Sequence, residues 1–432
     1  MNKKIVFVLI LIFLTGCSFN KNSKIWNENN NKFETNENFK KVEIDEKIEV
    51  VELNPLIKID LSVIKIINRN LDNQNNFGAL KYSGDLNKIG SFRFSKFENF
   101  DQTNLRPLFL KKGIIFFDKK GSVIFFNNDK KVVWKKNYYS KSEKKLNPKL
   151  SFALKGNNLI VTDNIGKYYL INIDDGELIW MKKNIYPFNS EIKEYEDKFF
   201  AVDYKNIIRC FYLKNGSECW NYATEDSLTI SASKYSIITH ENLVIFNNSI
   251  GDITAIDISS GLIQWQLPTQ SNQIINETYN FRNSKLVGDK KSIFFSNSKN
   301  QFYSIDINTG IPKWINNINS YITPFLVGEF IFTISEDGHL YTIQKNQGNI
   351  LRINDVYKFY KTKERNQIKP IGISIGQDKL YLTNNDGRII IIDLESGKVV
   401  RTERISRGQI SKPFIFNENL FLIKNGSIIQ YN

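Results

Sequence analysis

Short apolar runs separated by turn residues follow one another along most of the chain, and one stretch shows the pattern clearly. In Gly251–Trp265 (GDITAIDISSGLIQW), the segment Thr254–Ile258 is mostly apolar, Ser259–Gly261 consists of small turn residues, and Leu262–Trp265 resumes the apolar pattern. Short apolar segments of this kind indicate strands, and the small residues between them favour a tight reverse turn. This stretch therefore predicts a β-hairpin.

The same hairpin recurs at near-constant spacing. In six copies a small residue opens the motif 14 positions before a Trp or Arg, and the turn Gly lies 4 positions before it. These copies end at Trp180, Trp220, Trp265, Trp314, Arg352 and Arg401, and a looser copy, one residue shorter, ends at Trp134. Two further short strands precede each hairpin. A unit of four strands repeated about every 40–50 residues is typical of a β-propeller blade.

The number of units predicts how the propeller closes. Seven full units end at Arg401, and three more strands follow, at Pro413–Phe416, Leu420–Lys424 and Gly426–Tyr431. Because an open sheet edge favours aggregation, the last blade needs a fourth strand, and Ile89–Phe97 is its simplest source. We therefore predict an all-β fold, an eight-bladed β-propeller of four-stranded repeats over residues 86–432. Seven blades with a loose C-terminal hairpin are the alternative.

The recurring residues have structural explanations. Asp257, Asp306 and Asp393 precede the turns, where a carboxylate accepts hydrogen bonds from free turn amides. The turn Gly suits a positive φ, and the Trp is large enough to pack between adjacent blades. Because these residues recur in every blade, we expect them to determine the fold rather than to bind a ligand.

The first residues carry a different signal. Lys3 and Lys4 precede an unbroken apolar run, Ile5–Leu14, which is too short to span a bilayer as a helix but suits a signal-peptide core. The sequence LTGC, which ends at Cys17, resembles the lipobox of bacterial lipoproteins, in which cleavage precedes a Cys that becomes lipid-modified. An ordinary secretory signal followed by an incidental Cys is the alternative.

The domain organisation follows from this signal. We expect residues 1–16 to be a lipoprotein signal peptide and residues 17–85 to be the lipidated Cys17 with a flexible tether, since Asn, Lys and Glu are abundant there. By the same resemblance, Ser18 implies the periplasmic face of the outer membrane as the location.

Composition and charge add two limits. The hydrophobic content of 41% and the aromatic content of 13% suit a packed β-rich fold and argue against general disorder. The formal net charge is +14, which in some proteins reflects binding to nucleic acid or to an anionic membrane. Here the Lys residues are spread evenly and no Arg-rich patch stands out, so we expect no nucleic-acid partner.

The repeats resemble a known family. The pattern A-x-D-x-x-T-G-x-x-x-W is the tryptophan repeat of PQQ-type propellers, and AIDISSGLIQW and SIDINTGIPKW are similar to it. A lipoprotein signal, a short tether and eight blades of this repeat together resemble the BamB-like lipoproteins of the machinery that assembles outer-membrane β-barrels. The resemblance implies a non-enzymatic scaffold that binds the POTRA domains of a BamA-like barrel subunit. The alternatives are a PQQ-dependent periplasmic oxidoreductase and a lipoprotein that binds glycan or another envelope protein.

By order along the chain, the resemblance assigns partner contacts to two loops, Glu225–Ser233 and Asn276–Ser284. Their candidate contact residues are Leu228, Thr229, Ile230, Asn280 and Arg282. The first loop lacks the Arg that is usual in the family, and the second lacks its acidic pair. Leu228 and Ile230 also fit the first strand of the fourth blade.

Residues suited to catalysis or to cofactor binding are scarce. The two His residues, His240 and His339, belong to no cluster with metal-ligand spacing, and no Gly-rich phosphate loop or nucleophile elbow occurs. Most PQQ-dependent dehydrogenases use an adjacent Cys pair, whereas Cys210 and Cys219 are not adjacent. We therefore expect no cofactor, no metal and no catalytic residue.

Cys210 and Cys219 lie on successive predicted strands, on either side of the Asn215-Gly216 turn. A turn of suitable size places them across from each other, and the periplasm permits disulfides. A disulfide between them and a pair of free thiols both fit the sequence.

Overall fold

The chain is built from short strands that pair in sequence order, and it is described here from a computed structural model. The structure describes residues 50–61, 81–225, 231, 233–269 and 281–432, and all of them belong to one unit, Val50–Asn432. The predicted lipidation site Cys17 lies outside the described residues. The strands form eight antiparallel sheets of four, arranged as the blades of a β-propeller. The predicted all-β, eight-bladed fold is therefore confirmed.

The strands have the following bounds in chain order. The first half of the chain gives β1 (Lys88–Arg93), β2 (Leu108–Leu110), β3 (Gly113–Phe117), β4 (Val123–Asn127), β5 (Val132–Lys136), β6 (Leu150–Lys155), β7 (Asn158–Asp163), β8 (Lys167–Asn172), β9 (Leu178–Lys183), β10 (Lys193–Tyr195), β11 (Lys198–Val202), β12 (Ile207–Tyr212), β13 (Glu218–Ala223), β14 (Ile237–His240), β15 (Leu243–Asn247), β16 (Ile253–Asp257) and β17 (Ile263–Leu267). The second half gives β18 (Val287–Gly288), β19 (Ser292–Asn297), β20 (Gln301–Asp306), β21 (Pro312–Asn316), β22 (Phe325–Val327), β23 (Phe330–Ile334), β24 (His339–Gln344), β25 (Ile350–Asp355), β26 (Pro370–Ile375), β27 (Lys379–Asn384), β28 (Arg388–Asp393), β29 (Val399–Arg404), β30 (Phe414–Phe416), β31 (Asn419–Lys424) and β32 (Ser427–Tyr431). Two single-turn helices, α1 (Lys141–Lys144) and α2 (Thr362–Arg365), lie in loops between blades.

Blades 1 to 7 each take four consecutive strands, from β2–β5 to β26–β29. The second and third strands of each blade are almost wholly buried, as in β3 and β19, because they are covered on both faces by neighbouring blades. The outermost strands are largely exposed, as in β17 and β29. The core therefore lies between the blades as a ring of packed apolar layers.

The eighth blade joins the two ends of the propeller. Its strand order is β1-β32-β31-β30, and β1 pairs antiparallel with β32. The prediction that an N-terminal strand completes the last blade is confirmed, although β1 ends at Arg93 rather than Phe97. Beyond that point Phe94 and Phe97 turn into blade 1, where both rings pack on Phe116.

The near-constant spacing within the repeated hairpin reflects a contact between successive blades. The Trp of one outer strand lies against the turn Gly of the next blade, so that a Cβ on that Gly would lie 2.4–2.8 Å from the nearest indole atom. The Trp–Gly pairs are Trp134–Gly176, Trp180–Gly216, Trp220–Gly261, Trp265–Gly310 and Trp314–Gly348. Four of the indole Nε1 groups also donate to a backbone carbonyl of the next blade: Trp134 to Ile173 (3.0 Å), Trp180 to Leu213 (2.9 Å), Trp220 to Ile258 (2.9 Å) and Trp314 to Lys345 (3.0 Å). The prediction that the Trp packs between blades is confirmed.

The Asp residues before the turns also have the predicted role. The Asp257 carboxylate accepts from the backbone amides of Ser259 (3.1 Å) and Ser260 (2.7 Å). Asp306 accepts in the same way from Asn308 and Thr309. Each carboxylate satisfies turn amides that have no partner within the hairpin.

Blade 6 replaces the Trp with Arg352, whose side chain is fully buried. Its Nη2 donates to the Leu394 carbonyl (3.0 Å), which occupies the position that accepts the indole N–H in other blades, and its Nη1 donates to the Ile57 carbonyl (2.9 Å). Residues 50–61 therefore lie along the outer rim here, and Leu53 pairs with Ile353 through two backbone hydrogen bonds of 3.1 and 2.9 Å. Part of the region predicted as a tether thus covers the outer edge of blade 6.

Candidate binding site in the central channel

Two adjoining cavities lie where the innermost strands of the blades converge. They measure about 130 and 100 Å³ and share Asn104, Arg106, Phe109 and Lys234 in their walls. The larger cavity also contacts blades 5 to 8, and the smaller one contacts blades 2 and 3. Together they form a channel along the propeller axis.

Three blades direct a charged side chain to this channel through the same backbone arrangement. In each, a Ser just before the innermost strand accepts a hydrogen bond from a backbone amide of the second strand and donates to the carbonyl of the residue that follows it. The amide donors are Val202 to Ser190 (2.7 Å), Ser296 to Ser284 (2.9 Å) and Ile423 to Ser411 (2.9 Å). The Ser hydroxyl in turn donates to the carbonyl of the next residue, which is Glu191 (2.6 Å), Lys285 (3.1 Å) or Lys412 (2.7 Å). These charged residues line the channel.

The charges are unbalanced. Arg106 Nη1 donates to Glu191 Oε1 (2.8 Å), and Lys285 Nζ contacts the same carboxylate oxygen. Lys234 Nζ donates to the Ser151 hydroxyl (2.6 Å). Within the described part of the chain, Lys412 has no carboxylate within ion-pair distance, and its Nζ lies 5.6 Å from the centroid of the Phe414 ring. We refer to Arg106, Lys234, Lys285, Lys412 and Glu191 as the channel cluster.

Burial and mutual repulsion shift the pKa values of the channel cluster. Burial alone would raise the pKa of Glu191, but the fields of Lys285, Arg106 and Lys412 outweigh it and hold this pKa well below its usual range. Burial, assisted by Lys285 and Arg106, lowers the pKa of Lys412 well below its usual value. Burial likewise lowers the pKa of Lys234 to about 8, against the opposing fields of Glu191 and Asp101. The cluster therefore contains more basic groups than its surroundings stabilise in the charged form.

The predicted partner-binding residues are only partly described. Leu228, Thr229, Ile230 and Asn280 lie outside the described residues. Arg282 is exposed, and its guanidinium lies 5.0 Å from the centroid of the Tyr321 ring. Tyr321 and the next residue after Arg282, Asn283, line the larger cavity, so Arg282 lies beside the channel.

Cys210 and Cys219 are joined as a disulfide in the structure, with their Cα atoms 5.2 Å apart. Cys210 pairs with Trp220 across β12 and β13, and a β-bulge between Cys210 and Phe211 places Cys219 beside Cys210. The corresponding bulge occurs in the other six blades that end in a complete hairpin. The sulfur atoms lie in the outer half of blade 3 and not in the channel.

Residues suited to metal binding are dispersed. No three His, Cys, Asp or Glu side chains come together to hold a metal ion in the part of the chain that the structure describes. His339 Nδ1 lies 3.0 Å from Asp337 Oδ2 within blade 6, and His240 is 3.9 Å from Glu241 in blade 4. In the described ranges, no helix is both long and apolar enough to cross a membrane.

Sequence reasoning missed the channel cluster. Its members are separated by up to about 300 residues, and only the fold brings them to one axis. One signal was available, because the dipeptides Ser190-Glu191, Ser284-Lys285 and Ser411-Lys412 occupy equivalent positions in three blades.

Comparison with known proteins places the chain in a family. The family model described as "Outer membrane protein assembly factor BamB" matches residues 119–354, more than half of the chain. The crystal structure of BamB from Moraxella catarrhalis superposes with a TM-score of 0.66 at 16% identity, covering 80% of this chain and all of that one. A quinohemoprotein alcohol dehydrogenase from Comamonas testosteroni superposes with a TM-score of 0.58 at 10% identity, covering 83% of this chain and 78% of that one.

A curated relative from Rickettsia prowazekii, an uncharacterized protein, is 20% identical over 265 residues. The matched region covers 58% of this chain and 61% of the relative, so the chain spans less than two thirds of that protein's length. At these low identities the solved structures show a shared fold alone, whereas the family match covers blades 2 to 5, half of blade 1 and almost all of blade 6. The chain therefore belongs to the family of the outer membrane protein assembly factor BamB.

Proposed function

We propose that this protein is a non-enzymatic scaffold lipoprotein of the outer-membrane β-barrel assembly machinery, and that it binds the POTRA domains of a BamA-like subunit. The observation that carries this proposal is the match of residues 119–354 to the BamB family, together with eight closed blades. A rigid ring with loops on one face suits the capture of a partner, because the scaffold holds its binding loops in fixed positions.

Arg282 is the described residue from which this proposal can be tested. It is exposed beside the channel mouth, and Ser298 holds its backbone at both ends, with the Arg282 amide donating to the Ser298 hydroxyl (3.0 Å) and the Ser298 amide donating to the Arg282 carbonyl (2.9 Å). Its guanidinium rests on the Tyr321 ring and is thereby pre-oriented for an acidic partner.

The test is to isolate the protein from mildly crosslinked, detergent-solubilised membranes and to identify its partners by mass spectrometry. We expect a barrel subunit with POTRA domains to be recovered with the wild type and to be reduced several-fold with Arg282→Ala. Arg404→Ala, an exposed Arg on an outer strand, is the matched control and should leave recovery unchanged. Recovery of an electron-transfer protein, or of envelope glycan alone, would contradict the scaffold role.

The proposal includes a lipid anchor at Cys17 and a location on the periplasmic face of the outer membrane. Its support is the lipobox-like sequence LTGC after a ten-residue apolar run. Cells grown with tritiated palmitate should label the wild type, whereas Cys17→Ser should abolish the label and release the protein from the outer-membrane fraction. Labelling that survives this substitution would place the lipid elsewhere.

A PQQ-dependent oxidoreductase is the second candidate, because a quinohemoprotein dehydrogenase shares the fold and the channel is cationic. The residues fit this cofactor poorly. The described cysteines lie on β12 and β13, away from the channel, and the channel cluster contains one carboxylate, Glu191, which two cations already engage. Addition of PQQ and calcium should therefore give no dye reduction, and measurable dye reduction would favour the oxidoreductase.

A further inference from the structure

We propose that the central channel binds a small multivalent oxyanion that carries carboxylate or phosphate groups, with Lys412, Lys285, Lys234 and Arg106 as its ligands. This inference does not depend on the scaffold role, since its ligands Lys412, Lys285, Lys234 and Arg106 lie outside the two candidate partner loops, although residues of those loops also line the cavity.

The charge of the channel cluster is the first argument. Two carboxylates line the cavities, Glu191 and Glu194, and Glu191 is already bonded to Arg106 and Lys285. The basic residues that line them are Arg106, Lys193, Lys234, Lys285 and Lys412. Bringing like charges together in a partly enclosed cavity is unfavourable unless a counter-charge is supplied. After both carboxylates are counted against the five basic side chains, up to three positive charges remain, so a dianion or trianion neutralises the channel better than a monoanion does.

The placement of Lys412 is the second argument, because the surrounding backbone holds this residue in position. Ser411 ties the Lys412 carbonyl into the sheet, and Gly372 on the neighbouring blade leaves space for the Lys412 stem. A Cβ at Gly372 would lie 2.5 Å from the Lys412 Cβ, although the backbone at Gly372 does not require a glycine conformation. A Gly inside a strand weakens it and often marks a close approach, here the approach of Lys412.

Cavity size limits the ligand. The larger cavity measures about 130 Å³, and the smaller one, which meets it at Arg106 and Lys234, adds about 100 Å³. A single water needs roughly 10–15 Å³ of this space, so the channel accommodates a group of several heavy atoms but not a folded domain. Citrate and inorganic phosphate are therefore suitable probes of the carboxylate and phosphate classes.

The experiment is isothermal titration calorimetry of the full-length protein with citrate, phosphate and acetate at constant ionic strength. We expect saturable binding of citrate or phosphate and at least tenfold weaker binding of acetate. The anion that binds more tightly identifies the ligand class. Lys412→Met and Lys285→Met keep an unbranched apolar stem and should each weaken binding at least tenfold. Lys290→Met, at an exposed turn, is the control and should bind as the wild type does.

Protonation supplies an independent readout. The groups that act on Lys234 are Glu191, Asp101, Lys285 and Lys149, and its pKa of about 8 leaves it partly neutral at pH 8. A bound anion favours the charged form, so binding at pH 8 should take up protons, measured as a dependence of the heat on the buffer's ionisation enthalpy. The anion should also raise the melting temperature of the wild type. No saturable heat with either multivalent anion, or wild-type affinity in a folded Lys412→Met variant, would overturn the proposal.

Discussion

Substitution of Gly310 by Ala tests whether the contact between Trp and turn Gly holds the blades together. Gly310 has φ of +71°, and an added Cβ would lie 2.4 Å from Cε3 of Trp265. Real Cβ atoms do not approach other heavy atoms so closely, so either the indole or the turn must move. Because Trp265 belongs to blade 4 and Gly310 to blade 5, the strain falls on the boundary between blades.

The expected loss of unfolding free energy in Gly310→Ala has two parts. A side chain in the left-handed region costs about 1–2 kcal/mol, and overpacking a filled site costs about 1–3 kcal/mol. Gly310→Ala should therefore lower the free energy of unfolding by about 2–5 kcal/mol. Gly156→Ala is the matched control, since Gly156 has φ of +59° and no heavy atom within 4 Å of the added Cβ. Gly156→Ala should therefore show only the cost of placing a side chain in the left-handed region.

The assay is urea unfolding of both variants and the wild type, followed by tryptophan fluorescence and far-UV circular dichroism. Free energies are compared only where the two probes give coincident transitions. The effect of Ala on the unfolded chain is common to both variants and cancels in their difference. If Gly310→Ala destabilises the protein no more than Gly156→Ala does, the close Trp–Gly contact does not contribute to blade packing.

Three further predictions follow from the rim, the outer strands and the channel. Arg352→Ala leaves buried carbonyls, including that of Leu394, without a donor, and it should lower the free energy of unfolding by about 1–3 kcal/mol. Urea unfolding measures this loss, and Arg352→Trp should recover part of it. Equal losses in both variants would contradict this role of Arg352. In denatured, unreduced protein, peptide mapping should find Cys210 and Cys219 linked and resistant to alkylation, and two alkylated thiols would exclude the disulfide. From about pH 8 to about 10 the unfolded chain binds a proton at Lys234 that the folded protein has lost, so the unfolding free energy should rise with pH. Lys234→Met should flatten that rise relative to the wild type, and an unchanged slope would refute the lowered pKa.

The fold was predictable from sequence because the information is local and repeated. The Trp, the turn Gly and the Asp before it lie within one hairpin, and each contributes the same contact in successive blades. The closing strand was predictable from the missing partner of Ser427–Tyr431. Its end was not, because Phe94 continues the alternation that Phe92 begins, as strand residues do, but packs with Phe97 into blade 1 instead.

The role of Arg352 and the candidate site in the channel were less predictable, because both depend on residues that are distant in the sequence. Arg352 stands where the repeat expects Trp, and its charge is accommodated by acceptors that include the carbonyls of Ile57 and Leu394, which only the fold brings to it. In the same way, Lys285 and Lys412 each appear in sequence as a single charge before a strand. Their proximity depends on the closure of eight blades, which no local pattern contains. The partner-loop residues Leu228, Thr229, Ile230 and Asn280 stay predictions.

The pairing of Lys88–Arg93 with Ser427–Tyr431 has a consequence for how the protein is made. The two strands are separated by roughly 340 residues, and although the entropic cost of closing such a loop grows slowly with its length, contacts of long range form late in folding. The ring cannot close before Tyr431 has been added to the chain. A chain interrupted before Ser427 leaves β1 and one edge of β31 unpaired, and exposed strand edges of this kind invite association with other chains. Completion of the eighth blade therefore covers the two strand edges through which an interrupted chain would associate with other chains.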